Sequence, residues 1–179
     1  MTNPFRITNS LEVYRGRVMR IREDHVVLPK GSPAIFNVAE IRPGSTVLAL
    51  DERQHVHLVR EYKWAVGRES VEAISGGLEE GEAPIDCARR ELLEEGGLEA
   101  GDWTDMGKVD PFTSHVLSPN YMFLARNLST VPQALEEGEV IHPFHTPLEN
   151  ALEMVMRGEI THAASVVLIL KTARLAGLR

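Results

Sequence analysis

At 179 residues the chain has room for one well-buried domain with a small appendage, and hardly for two independent cores. Its 43% hydrophobic and 25% charged content, without a low-complexity tract or internal repeat, is that of a globular protein rather than a disordered chain. A formal net charge of −7 argues against a nucleic-acid footprint, and no stretch approaches the roughly 18 apolar residues of a membrane helix.

The opening Met1-Thr2-Asn3-Pro4-Phe5-Arg6 lacks a basic stretch followed by an apolar one, so a cytoplasmic protein is expected. From Leu11 to Leu48, alternating stretches such as Val13 to Val18 and His25 to Leu28, broken at Pro29-Lys30-Gly31-Ser32-Pro33, predict antiparallel strands and turns. Pro43-Gly44 marks another turn. Thr46 to Leu50 and His55 to Arg60 flank the polar Asp51-Glu52-Arg53-Gln54 and predict a hairpin, with a further strand over Ser70 to Ile74.

Between Pro84 and about Glu95, Ile85, Ala88 and Leu92 recur at spacings of three and four, the stripe of a helix that packs on one face. Proline suits its first position and Gly96-Gly97 supplies the stop. Cys87, the single cysteine, is expected on the core side of this helix as a small apolar residue. Tyr121 to Ala125 predicts a strand. Thr146-Pro147-Leu148-Glu149 has the form of a capping box and starts a helix carrying Leu148, Ala151, Leu152 and Val155; a last helix is expected from about His162 to Leu175. Strands, helix, strands and two helices predict an α+β domain, a mixed sheet sandwiched by helices.

The informative feature is Gly76-Gly77-Leu78-Glu79-Glu80-Gly81-Glu82 followed by Arg89 to Leu98. On a helix, Glu91 and Glu95 lie four apart and Glu94 three from Glu91, so three carboxylates crowd one face and repel. A hard, oxygen-seeking cation such as Mg²⁺ would neutralise them, and Arg90 could orient them through its planar fork of donors. Glutamate-rich helices are usually just solvated, however, and the glutamates alone favour that plainer reading.

The register with the glycines decides between the two. Gly76, five residues, Glu82, seven residues, Arg90-Glu91-Leu92, one residue, Glu94-Glu95, one residue, Gly97-Leu98 resembles the complete signature of the Nudix hydrolase family over 23 residues. The resemblance implies the Nudix fold, an α/β/α sandwich with a mixed β-sheet and an N-terminal antiparallel β segment, and a loop-helix-loop metal site. It implies Glu91 and Glu95 as principal metal ligands and Glu94 as a third ligand or a proton acceptor near the attacking water. Arg90 then braces the glutamates, Glu82 is a supporting carboxylate, and a backbone carbonyl near Ser75 or Gly76 completes the coordination. The implied cofactor is Mg²⁺, with Mn²⁺ as an alternative, and bound cations would also let an acidic protein hold an anionic phosphate.

Outside the signature, Leu58-Val59-Arg60-Glu61-Tyr62-Lys63, Val71 to Gly76 and Glu136-Glu137-Gly138-Glu139-Val140-Ile141 resemble the ADP-ribose and nucleoside-diphosphate-sugar pyrophosphatases. That branch implies hydrolysis of ADP-ribose or a related nucleotide sugar to a nucleoside monophosphate and a sugar phosphate. GDP-mannose, UDP-glucose or dinucleoside polyphosphates are alternative substrates, and a non-catalytic ADP-ribose sensor is the alternative outside enzymes. It also implies a homodimer through residues 1–43, a β-rich dimerisation segment, with the hydrolase domain over 44–179. Glu139, with Glu137 second, matches the glutamate that polarises the attacking water. Arg60 and Arg68 are candidate substrate binders, against the plainer reading of solvated strand ends. Relatives tend to carry an acid in the loop that here reads Ser114 to Asn120; this chain has none, which bears on its specificity for ADP-ribose.

Overall fold

The alternation of the first forty residues resolves, in a computed structural model that describes residues 2–133, 135 and 140–178, into three long antiparallel strands. These are β1 (Arg6–Arg15), β2 (Met19–Val27) and β3 (Pro33–Ile41), joined by short turns and paired in that order. A two-residue strand, β9 (Val116–Leu117), adds to β3 in parallel. By its contacts the chain divides into two units, the first comprising 1–43 together with 110–119, and the second 44–109 together with 120–179.

The second unit is built on β4 (Gly44–Leu50), β5 (His55–Lys63), β8 (Leu98–Val109), β10 (Asn120–Thr130) and β11 (Ile141–Pro147), in the order β11-β5-β4-β10-β8. Only the β4–β10 pair is parallel along that path, so the sheet is mixed. The predicted hairpin is present but brief: β5 pairs with β4 at Ala49–His57 and Leu50–Val56, and β7 (Ile74–Gly77) then takes its place along Gly44 to Val47.

Successive strand residues face opposite sides, and β4 divides accordingly. Leu48 and Leu50 join Leu58, Met122, Leu124 and the helices α2 (Leu148–Met156) and α3 (Ala163–Leu175) in one core. Val47 and Ala49 join Val59, Phe123, Ala125 and α1 (Pro84–Glu94) in the other. Helices on both faces of a mixed sheet are the expected sandwich. No helix among the described residues is long and apolar enough to cross a membrane.

Two local expectations change. The strand expected over Ser70 to Ile74 breaks at Ala73: β6 (Arg68–Glu72) pairs with β5 and β7 with β4, and the Ala73 N–H donates to Ser165 Oγ on α3 at 2.8 Å. The capping box at Thr146 does not form. Thr146 and Pro147 stay paired with Val56 and His55, Pro147 becomes the cap without a side-chain bond, and the Leu148 N–H donates to the Gln54 carbonyl at 2.9 Å. The sheet supplies the acceptor that a capping hydroxyl would otherwise have provided.

Candidate active site

Proline at its first position and an apolar face place α1 against β4 and β7, with Cys87, Ala88 and Leu92 buried. Ser45 Oγ on β4 donates to the Pro84 carbonyl at 2.7 Å and fixes the start of the helix. Its end is set at Gly97, whose φ of +60 suits glycine and whose N–H donates to the Leu93 carbonyl. Burial pushes the Cys87 thiol up to about 11, so it is an inert packing residue.

Held in this way, α1 and its C-terminal cap carry Glu91 and Glu95 inward, where they are only 8% and 6% exposed. The carboxylate of Glu91 lies against the backbone of Gly76: a Cβ built there would stand 1.7 Å from Glu91 Oε1. Glycine at 76 is therefore a steric requirement of the glutamate's position. Glu95 Oε2 accepts the Ser75 N–H at 3.1 Å, tying the second glutamate to the same strand.

Arg90 holds the rest together. Its Nε and Nη2 donate to the two oxygens of Glu82 at 2.9 and 3.1 Å, Nη1 to Glu91 at 2.7 Å and Glu94 at 3.0 Å, and Nη2 also to the Gly77 carbonyl at 3.1 Å. The bidentate contact with Arg90 holds Glu82 below the usual carboxylate range.

Burial, and secondarily the charge of Glu91, pushes Glu95 up to about 8 against the Ser75 N–H and the Lys63 ammonium, which favour its ionised form. A buried carboxylate beside another carboxylate calls for a proton or a cation. Oxygen donors only, two of them buried and one cradled by glycine, fit a hard divalent ion, and Glu91, Glu95 and Glu94 are the residues that would hold it. Among the described residues no three His, Cys, Asp or Glu side chains converge on one centre, and Arg90 draws Glu91 and Glu94 toward itself instead.

The structure thus gathers Ser75, Gly76, Glu82, Arg90, Glu91, Glu94 and Glu95 in one place. Arg60 and Arg68 have other partners: the Arg60 guanidinium lies over the Phe144 ring at 5.6 Å, and Arg68 Nη2 donates to Thr161 Oγ1 at 2.7 Å. Glu139 and Glu137 lie outside the described residues. Sequence reasoning passed over Glu61 and Glu72. Lys63 pairs with Glu61 and lies 4.0 Å from Glu72, whose Oε2 is 3.4 Å from His162 Nδ1; the charges of Lys63 and Glu61 both act on Glu95. Lys63, Glu72 and His162, with Arg68, Ser70 and Thr161, line a cavity of about 320 Å³. The signal was the parity of β5, which puts Glu61 and Lys63 on the face of Val59.

The chain resembles known proteins over nearly its whole length. It is 28% identical over 169 residues to the ADP-ribose pyrophosphatase of Mycobacterium tuberculosis, covering 93% of this chain and 82% of that one. It is 31% identical over 136 residues to the GDP-mannose pyrophosphatase of Citrobacter koseri, covering 70% and 71%. The fold matches the crystal structure of an ADP compounds hydrolase with a TM-score of 0.82 at 21% identity, over 99% of this chain and 98% of that one. The NUDIX domain model matches residues 40–167, which takes in every signature residue and most of the chain, and the chain belongs to that family.

Proposed function

We propose that this protein hydrolyses the pyrophosphate bond of ADP-ribose or a related nucleoside diphosphate sugar, giving a nucleoside monophosphate and a sugar phosphate. The observation that carries the reading is the pair of buried carboxylates, Glu91 and Glu95, seated beneath the Ser75-Gly76 strand and braced by Arg90. Similarity to an ADP-ribose pyrophosphatase over 93% of the chain supports the substrate class.

Divalent ions, Mg²⁺ or Mn²⁺, would supply the Lewis acidity that neutralises the phosphoryl oxygens. Glu91 and Glu95 would hold these ions, Glu94 would serve as a third ligand or proton acceptor, and Arg90, which now pairs with Glu91 and Glu94, would orient the carboxylates. A water oxygen bonds to one phosphorus, the bridging P–O bond breaks, and the water's proton passes to a carboxylate, for which Glu139 is our first candidate and Glu137 our second. Arg60 and Arg68 are proposed to meet the substrate's phosphates or sugar; Arg68 already lines the cavity beside Lys63.

We further propose that two copies associate through residues 1–43, because the sheet of the first unit leaves Ile7, Leu11, Val13 and Ile35 each at least 45% exposed. A panel of nucleotide sugars and dinucleotides with Mg²⁺, products identified by mass, tests the substrate. AMP and ribose 5-phosphate from ADP-ribose support the reading, and activity confined to nucleoside triphosphates rejects it. The GDP-mannose pyrophosphatase relative makes GDP-mannose the second reading, so release of GMP and mannose 1-phosphate is the outcome that would favour it.

A further inference from the structure

Three of the chain's seven histidines meet on one patch of the sheet that the hydrolytic site does not use. His55 and His57 are two apart on β5 and therefore share a face. His145, on the edge strand β11, is the direct cross-strand partner of His57. The ring centroids of His55 and His145 are 5.7 Å apart, as are those of His57 and His145. Two imidazoles sharing one ion, with nitrogens about 2.1 Å from it, have centroids roughly 5 to 6 Å apart.

Asp51 supplies the feature that turns a surface cluster toward ligation. Its carboxylate accepts the N–H groups of Arg53 and His55, at 2.9 and 2.7 Å, which fixes the turn before β5. Its Oδ2 also stands 3.6 Å from His55 Nδ1, a buried ring nitrogen with no hydrogen-bond partner. A carboxylate behind one ring nitrogen leaves the other, Nε2, as the natural ligand atom.

We propose that His55, His57 and His145 bind a transition-metal ion of the imidazole-seeking kind, Zn²⁺ above all, at a site separate from the glutamates. Separation follows from the register of β4: Gly76 pairs with Ser45 and His57 with Ala49, four residues or about 13 Å along the strand. The chemistry differs as well, since nitrogen donors select Zn²⁺, Ni²⁺ or Cu²⁺ where carboxylates select Mg²⁺. The rings stand edge-on and tilted to one another rather than aimed at a single centre, so binding requires rotation of the solvent-exposed His145 ring toward the other two. Bridging β5 to β11, the ion would pin the edge strand of the second unit.

The test is calorimetric titration of the full chain with Zn²⁺ in a large excess of Mg²⁺. The expected result is a single equivalent of Zn²⁺ bound by the unmodified protein and by Glu95→Gln. His145→Gln should bind it at least roughly tenfold more weakly, as should His57→Gln. Co²⁺ in place of Zn²⁺ should give the visible absorption of a nitrogen-ligated four-coordinate ion, absent from His145→Gln. Mg²⁺-dependent turnover of His145→Gln, expected to be unchanged, shows that the variant is folded. Unchanged Zn²⁺ affinity in His145→Gln, loss of Zn²⁺ binding in Glu95→Gln, or no Zn²⁺ binding at all would overturn the proposal.

Discussion

The two units spend their apolar residues differently. Both hydrophobic cores belong to the second unit, where β4 sends alternate residues to opposite helical layers. The first has three long strands and, among the described residues, no helix, and every residue of β1 is exposed. Charge divides the same way: the first unit has seven Lys and Arg against five Asp and Glu, the second twelve against 21. A sheet with a bare apolar face gains most from another surface laid on it, whereas a filled, acidic sandwich gains most from cations. The proposed assembly draws on the first unit and the proposed chemistry on the second.

The sharpest way to break that division is Glu95→Gln. Turnover should fall about a thousandfold, the equivalent of roughly 4 kcal/mol of transition-state stabilisation, with oligomeric state unchanged. Steady-state kinetics beside sedimentation velocity would check both halves. Next, Gly76→Ala forces a Cβ into the space of the Glu91 carboxylate and should weaken divalent-ion binding about tenfold to a hundredfold without unfolding the chain, as read by Mn²⁺ titration and circular dichroism. In the first unit, Leu11→Lys with Val13→Lys should shift the sedimenting species from dimer to monomer while the thermal transition of the second unit stays in place. A sedimentation profile unaffected by both lysines would remove assembly from this sheet.

The smallest effect concerns pH. Glu95 has an ordinary value of 4.5 and is pushed up to about 8 in the fold, so between those values the folded chain binds more protons than the unfolded one. Stability without divalent ions therefore falls as pH rises through that window and levels off above it. Melting curves in chelator should show this slope for the unmodified protein and a flatter one for Glu95→Gln. Equal slopes would mean that Glu95 is not buried as described.

Much of the site was legible because it is local. Helix α1, expected from Pro84 to about Glu95, runs Pro84–Glu94, and Arg90 orients Glu91 and Glu94 as its place beside them led us to expect, while its two bonds to Glu82 come from the loop before the helix. What escaped depends on distant partners. Ala73 breaks a strand because Ser165, 92 residues later, takes its N–H, and Thr146 does not cap because Val56 keeps it in the ladder. Glu61 and Lys63 reach Glu95 only through the packing of the sheet on α1, which no window along the chain contains. Nor does the Ser114 to Asn120 segment announce that Val116 and Leu117 add a strand to the first unit.

Phosphorus NMR of ADP-ribose incubated with the protein and Mg²⁺, then with chelator, and repeated with Glu95→Gln, tests the central claim most directly. The two pyrophosphate resonances should give way to those of AMP and ribose 5-phosphate with the unmodified protein and Mg²⁺, and persist under the other two conditions. Cleavage that continues in chelator, or that Glu95→Gln performs at the unmodified rate, would contradict it.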